Sequence, residues 1–174
     1  MINRNRYFRV VVIALFWLAA ACKQERQPCL SLKSALLNVR TLHYAAPGTL
    51  PVDTAIPNPI WVAMTDTVDV GIIYTQRDSF NLTLSSVPIA AGSDVCVTNW
   101  AFTTDSFKHN FDTLSFYSRR QAHFISNACG YMYFYNLDSV LTTHHNIDSL
   151  RIVNPSVTTN VNTRHLSIYI HPNF

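Results

Sequence analysis

Glycine is scarce in this chain. The 174 residues include only four, Gly48, Gly71, Gly92 and Gly130, each more than twenty positions from the next. Phosphate cradles need clustered glycines, so nucleotide-binding loops are excluded. Glutamate is scarcer still: Glu25 stands alone, and the other acidic residues are aspartates. No HExxH, CxxC, GxSxG or EF-hand pattern occurs, which removes the common zinc, calcium and serine-hydrolase signatures. No catalytic residue and no cofactor is assigned, and the chain leans away from being an enzyme. The paired carboxylates of glycoside hydrolysis meet in space rather than in sequence. Turn duty explains most of the aspartates better.

A long apolar run is also missing. "VVVIALFWLAAA", Val10 to Ala21, has 12 residues, and a helix of that length falls well short of the ~30 Å hydrocarbon core. It follows Arg4, Arg6 and Arg9 and ends in Ala19-Ala20-Ala21-Cys22. Residues 1–21 therefore read as a signal-peptide helix rather than a membrane anchor. The small residues before Cys22 resemble a bacterial lipobox, with Ala19 where leucine is commonest. Cys22 is expected to become the acylated first residue, anchored by more than one chain. Cleavage also removes three arginines. The precursor has 13 Lys+Arg and 10 Asp+Glu, so the mature chain carries ten of each and a formal charge of zero. No basic stripe remains, and no nucleic-acid partner is expected.

Residues 22–29 comprise the lipidated Cys and a short polar tether, and 30–174 suffice for one domain with its own core. The pattern there has period two. "FNLTLS" puts Phe80, Leu82 and Leu84 on one face. "VCVTNWAFT" sets Val95, Val97 and Asn99 against Cys96, Thr98, Trp100 and Phe102. "HLSIYIH" sets Leu166, Ile168 and Ile170 against His165, Ser167, Tyr169 and His171. Further strands are expected near 35–44, 59–64, 68–75, 113–118, 122–125, 131–137 and 149–153. Many short strands and no long helical period predict an all-β antiparallel β-sandwich, immunoglobulin-like in general architecture. Asp followed by Ser or Thr recurs at Asp53, Asp66, Asp78, Asp105, Asp112, Asp138 and Asp148, each expected to be a turn entering a strand.

The seven histidines do not form a ligand set. His144 and His145 are adjacent, so a strand would point them apart. His165 and His171 are about 20 Å apart along a straight strand. Exposed loop or strand-end positions are expected, and no metal. Cys129 has no flanking charge to lower its pKa, as a nucleophile would need. The envelope is oxidising, and thiols there tend to pair. With Cys22 acylated, Cys29, Cys96 and Cys129 remain. Cys96 alternates with strand residues and suits a small buried side chain. Cys29 opens the domain, so a Cys29–Cys129 disulfide would pin the first strand to the body. Gly130 would mark a bulge beside it. Trp61, Trp100, Tyr131, Tyr133 and Tyr135 are candidate sugar-platform rings. The three tyrosines share one strand face, which is the outer one if Met132 and Phe134 are core. Such a ladder can bind glycan or protein, or simply pack.

The stretch "LSFYSRRQAHFISNACGYMYFYNL", with its core "FISNACGY", a late "HLSIYI" and a Cys soon after the lipobox, resembles a family of uncharacterised Bacteroidetes-type lipoproteins of unknown function. The resemblance implies an envelope lipoprotein with Cys29 and Cys129 paired, and the expected location is an outer-membrane lipid anchor facing the periplasm. It supplies no activity. The expected partners are the membrane, through the anchor, and an envelope protein. The alternative is a glycan-binding or glycan-processing role.

Overall fold

The computed structural model describes residues 29, 34–44, 48–64, 70–105, 107 and 110–170. The expected signal segment 1–21, Cys22, the expected tether 23–28, Asp66-Thr67, His109 and His171 lie outside the described residues. The chain divides into two compact units, Met1–Leu30 and Ser31–Phe174. All the elements below belong to the second.

The described residues form strands and no helix. The strands are β1 (Leu36–His43), β2 (Val52–Asp53), β3 (Ile60–Met64), β4 (Val70–Ile73), β5 (Ser79–Thr83), β6 (Val95–Thr103), β7 (Asp112–Ser126), β8 (Gly130–Thr142), β9 (Ile147–Ile152), β10 (Ser156–Val157) and β11 (Leu166–Ile170). They build two open sheets. One runs β2-β1-β11-β9, with β5 also paired to β1; the other runs β10-β8-β7-β6-β3-β4. The fold is the expected β-sandwich. Pairings between the named strands are antiparallel except that β1 and β11 run parallel, Val39 opposite Leu166 and Thr41 opposite Ile168. Parallel neighbours need a long crossover, and here almost the whole domain lies between them.

The core lies between the sheets and follows the alternation. Leu37, Val39, Phe80, Leu82, Leu166, Ile168 and Ile170 are buried on one sheet. Trp61, Trp100, Phe102, Leu114 and Phe116 are buried on the other. Trp61 joins them: its ring centroid is 5.6 Å from Phe80 and 4.5 Å from Phe102. Tilted rings at such separations add to the burial itself. Trp61 and Trp100 are thus core residues and not exposed sugar platforms.

The predicted strands 113–118 and 122–125 are one continuous strand, β7. It pairs with β8 from Leu114↔Thr142 to Ser126↔Gly130, giving the longest hairpin in the fold. The aspartate units divide. Asp78 precedes β5 and Asp112 opens β7, as turns into strands would. The Asp105 carboxylate accepts the Phe107 N–H at 2.9 Å, an Asx turn. Asp53, Asp138 and Asp148 lie inside strands instead. Asp138 is the extra residue of a β-bulge, because Tyr117 pairs with Ser139 and Ser118 with Leu137. The Arg119 guanidinium holds it there at 2.9 Å. Gly130 has φ +71, and a Cβ added there would meet nothing within 4 Å. The left-handed backbone where the hairpin turns, rather than lack of space, therefore favours glycine.

Candidate functional site

The long hairpin positions the one cluster of exposed aromatics that sequence and structure single out together. Cross-strand pairs share a face. Ser118↔Leu137, Arg120↔Tyr135, Ala122↔Tyr133 and Phe124↔Tyr131 therefore continue the core-facing side of β7 and β8. Near the sandwich this side is covered: Ser118, Leu137 and Tyr135 are buried. Toward the hairpin tip it emerges from beneath the opposite sheet. Tyr133 is 38% exposed, Phe124 51% and Tyr131 74%. Tyr131, Tyr133 and Tyr135 do share one face, but it is the inner face and not the outer one. Met132 is buried outside the main core cluster. Phe134 is half-buried, stacked on His123 at 4.6 Å.

The three tyrosines differ accordingly. Tyr135 is structural: its hydroxyl donates to the Leu84 carbonyl at 3.3 Å, and burial pushes its pKa above the ordinary phenol value. Tyr133 lies under Arg120, whose guanidinium carbon is 5.0 Å from the ring centroid. Arg120 also donates to the Ser86 carbonyl, and its backbone N–H donates to the Asp94 carbonyl at 2.9 Å. Tyr131 meets Phe124 edge-on, centroids 5.2 Å apart at 60°. The result is a shelf of Phe124, Tyr131 and Tyr133 bordered by one guanidinium.

A hollow of about 290 Å³ lies beside the shelf. Ser34 and Ala35 border it just before β1, Thr83, Leu84 and Ser86 at the end of β5, and Met132 and the three tyrosines from β8. Small-molecule cavities run to about 300–1,000 Å³, so this one suits a few side chains. Its described lining offers hydroxyls and aromatic rings. Among the described residues no carboxylate or Asn amide lines it. A glycan-processing cleft would need such groups to converge there.

The remaining candidates are structural. Cys29 and Cys129 form one disulfide. The Cys129 N–H is also tied to Ser126 Oγ at 3.1 Å. Cys96 is a free, fully buried thiol. Burial raises its pKa, keeping it a poor nucleophile. His165 departs from expectation: it is fully buried, not exposed. Its Nδ1 accepts the Asn38 N–H at 2.9 Å, and its buried Nε2 has no hydrogen-bond partner among the described residues. Burial lowers its pKa, so the imidazole is neutral. His144 and His145 sit in the exposed loop between β8 and β9. No group of three or more His, Cys, Asp or Glu among the described residues is placed to hold a metal ion.

No feature of the sequence singles out Arg120. Only the hairpin register puts it across from Tyr135 and beside Tyr133. No curated protein sequence and no solved structure matches the chain. Residues 60–170, from the first residue of β3 to the last of β11, match a known sequence family. On that match, which includes the whole aromatic shelf, the chain belongs to the Family of unknown function (DUF6452).

Proposed function

We propose that this is a Bacteroidetes-type envelope lipoprotein, acylated at Cys22 and held at the outer membrane facing the periplasm. Its β-sandwich binds another envelope protein. The observation that carries the binding role is the emergence of Phe124, Tyr131 and Tyr133 from the core face of the hairpin, with Tyr131 74% exposed. Rings left on a core-type face beyond the covering sheet are large, rigid contact surfaces that cost little conformational entropy to use. Tyr and Arg are also enriched among the residues that dominate protein interfaces. The described hollow has hydroxyls but no carboxylate or Asn amide, which favours a protein over a processed glycan.

The test is a photocrosslinking amino acid placed at position 131 of the full chain in intact cells. A control carries it at Ser115, which is outside the shelf. A discrete protein adduct from position 131 and none from position 115 is expected. No such adduct, together with glycan-array binding that Tyr133→Ala abolishes, would replace this reading with the glycan-binding one.

A further inference from the structure

The shelf also carries a charge preference. We infer that its partner is an acidic, extended peptide segment, with a carboxylate set against Arg120. This rests on the protein-binding reading above and specifies what the partner must present.

Arg40 and Arg164 are both committed to the Asp53 carboxylate, and Arg119 to Asp138. Arg120 makes no ion pair among the described residues. Its side chain instead meets the Tyr133 ring and one carbonyl, that of Ser86. A guanidinium has five N–H donors in a fixed fork that matches a carboxylate. Stacking on Tyr133 and bonding to Ser86 pre-orient that fork, so little further ordering is needed on binding. Asp94 is near in the chain fold, but it meets Arg120 through its backbone carbonyl. No carboxylate is among the described lining of the hollow, and Arg120 sets a positive charge beside the Tyr133 ring.

The aromatic spacing points to an extended chain. Tyr131 and Tyr133 are two residues apart on one strand face, about 7 Å. That distance matches alternate side chains of an extended peptide. A compact anion would engage Arg120 alone and leave Tyr131 and Phe124 unused.

The test uses the full acylated chain in detergent micelles on an array of randomised ten-residue peptides, with a glycan array alongside. Bound peptides are expected to be enriched in Asp and Glu by at least about fivefold, an advantage that shrinks in about 0.5 M salt. Arg120→Gln should erase the enrichment while peptides still bind. Arg120→Lys should restore it in part, since it keeps the charge and loses the fork. Tyr133→Ala should weaken binding of all peptides. The wild-type enrichment and its salt dependence do not require any variant to fold. Peptides bound without acidic enrichment would overturn this inference and leave the protein-binding reading standing. An array that selects no peptide would overturn both, and glycan binding lost in Tyr133→Ala would then name the ligand class instead.

Discussion

Asp112 is fully buried, yet its carboxylate is saturated with donors. Oδ1 accepts the His145 N–H at 2.7 Å and the Thr143 hydroxyl at 3.0 Å. Oδ2 accepts the N–H groups of Asn146 at 2.6 Å and Ile147 at 3.1 Å. The His145 ring stands 3.5 Å away. One residue at the start of β7 thus shapes the loop between β8 and β9. Asp112→Asn would turn one acceptor oxygen into a donor facing N–H groups. It is expected to cost about 3 kcal/mol in urea unfolding; a loss under about 1 kcal/mol would show that the loop stands without it. His165 makes the opposite demand, since it must stay neutral to accept the Asn38 N–H. Its folded pKa lies below the ordinary 6.5, so the unfolded chain binds the proton more readily. Its contribution to stability is therefore complete above the unfolded value and is lost as pH falls below about 6.5 toward the folded value. Thermal unfolding from pH 7.5 down to 5 should show a falling melting temperature, with a shallower slope in His165→Asn. Parallel slopes would assign the acid sensitivity elsewhere.

The β7–β8 hairpin is both the longest element and the one that reaches beyond the sandwich. Residues on its core-facing side change role along its length. Leu114, Phe116 and Tyr135 are core, and Tyr133, Phe124 and Tyr131 become progressively more exposed. Cys129 at its turn is bonded to Cys29. The bridge closes a loop of about 100 residues, worth up to ~4–5 kcal/mol in the chain-entropy account. Cys29→Ser should therefore lower stability by a large part of that amount. Non-reducing peptide mapping should recover Cys29 with Cys129 and leave Cys96 reduced. A Cys96–Cys129 peptide would contradict the assignment. Cys96 is unsuited to exchange, because burial raises its pKa and keeps it protonated.

At the scale of the whole molecule, the proposed lipid anchor is placed at Cys22. Metabolic labelling with a palmitate analogue should mark the wild-type chain and not Cys22→Ser; equal labelling of both would sink the lipoprotein assignment. The rest of the molecule divides by the range of the interactions that decide it. Alternation within a strand is local, so the sequence alone determined that the described residues are all-β. It also determined that Leu166, Ile168 and Ile170 face inward together, as do Phe80, Leu82 and Leu84, and that Tyr131, Tyr133 and Tyr135 share a face. The pairing of Cys29 with Cys129 was legible too, because Cys96 alternates with strand residues as a small buried side chain does and leaves the other two. Which side of β8 is inner was not legible. Met132 and Phe134 look as apolar as the tyrosines, and only the opposite sheet decides what is covered. The fusion of two predicted strands into β7 and the bulge at Asp138 depend on the partner strand's register. The parallel contact of β1 with β11 depends on residues more than a hundred positions apart. The burial of His165 follows from that contact, since its partner Asn38 lies across it. Arg120 shows the same limit. Its sequence neighbour Arg119 looks identical, but alternation sends one to Asp138 on the outer face and the other to Tyr133 on the inner face. Local chemistry decides what a side chain can do, and long-range packing decides what it meets.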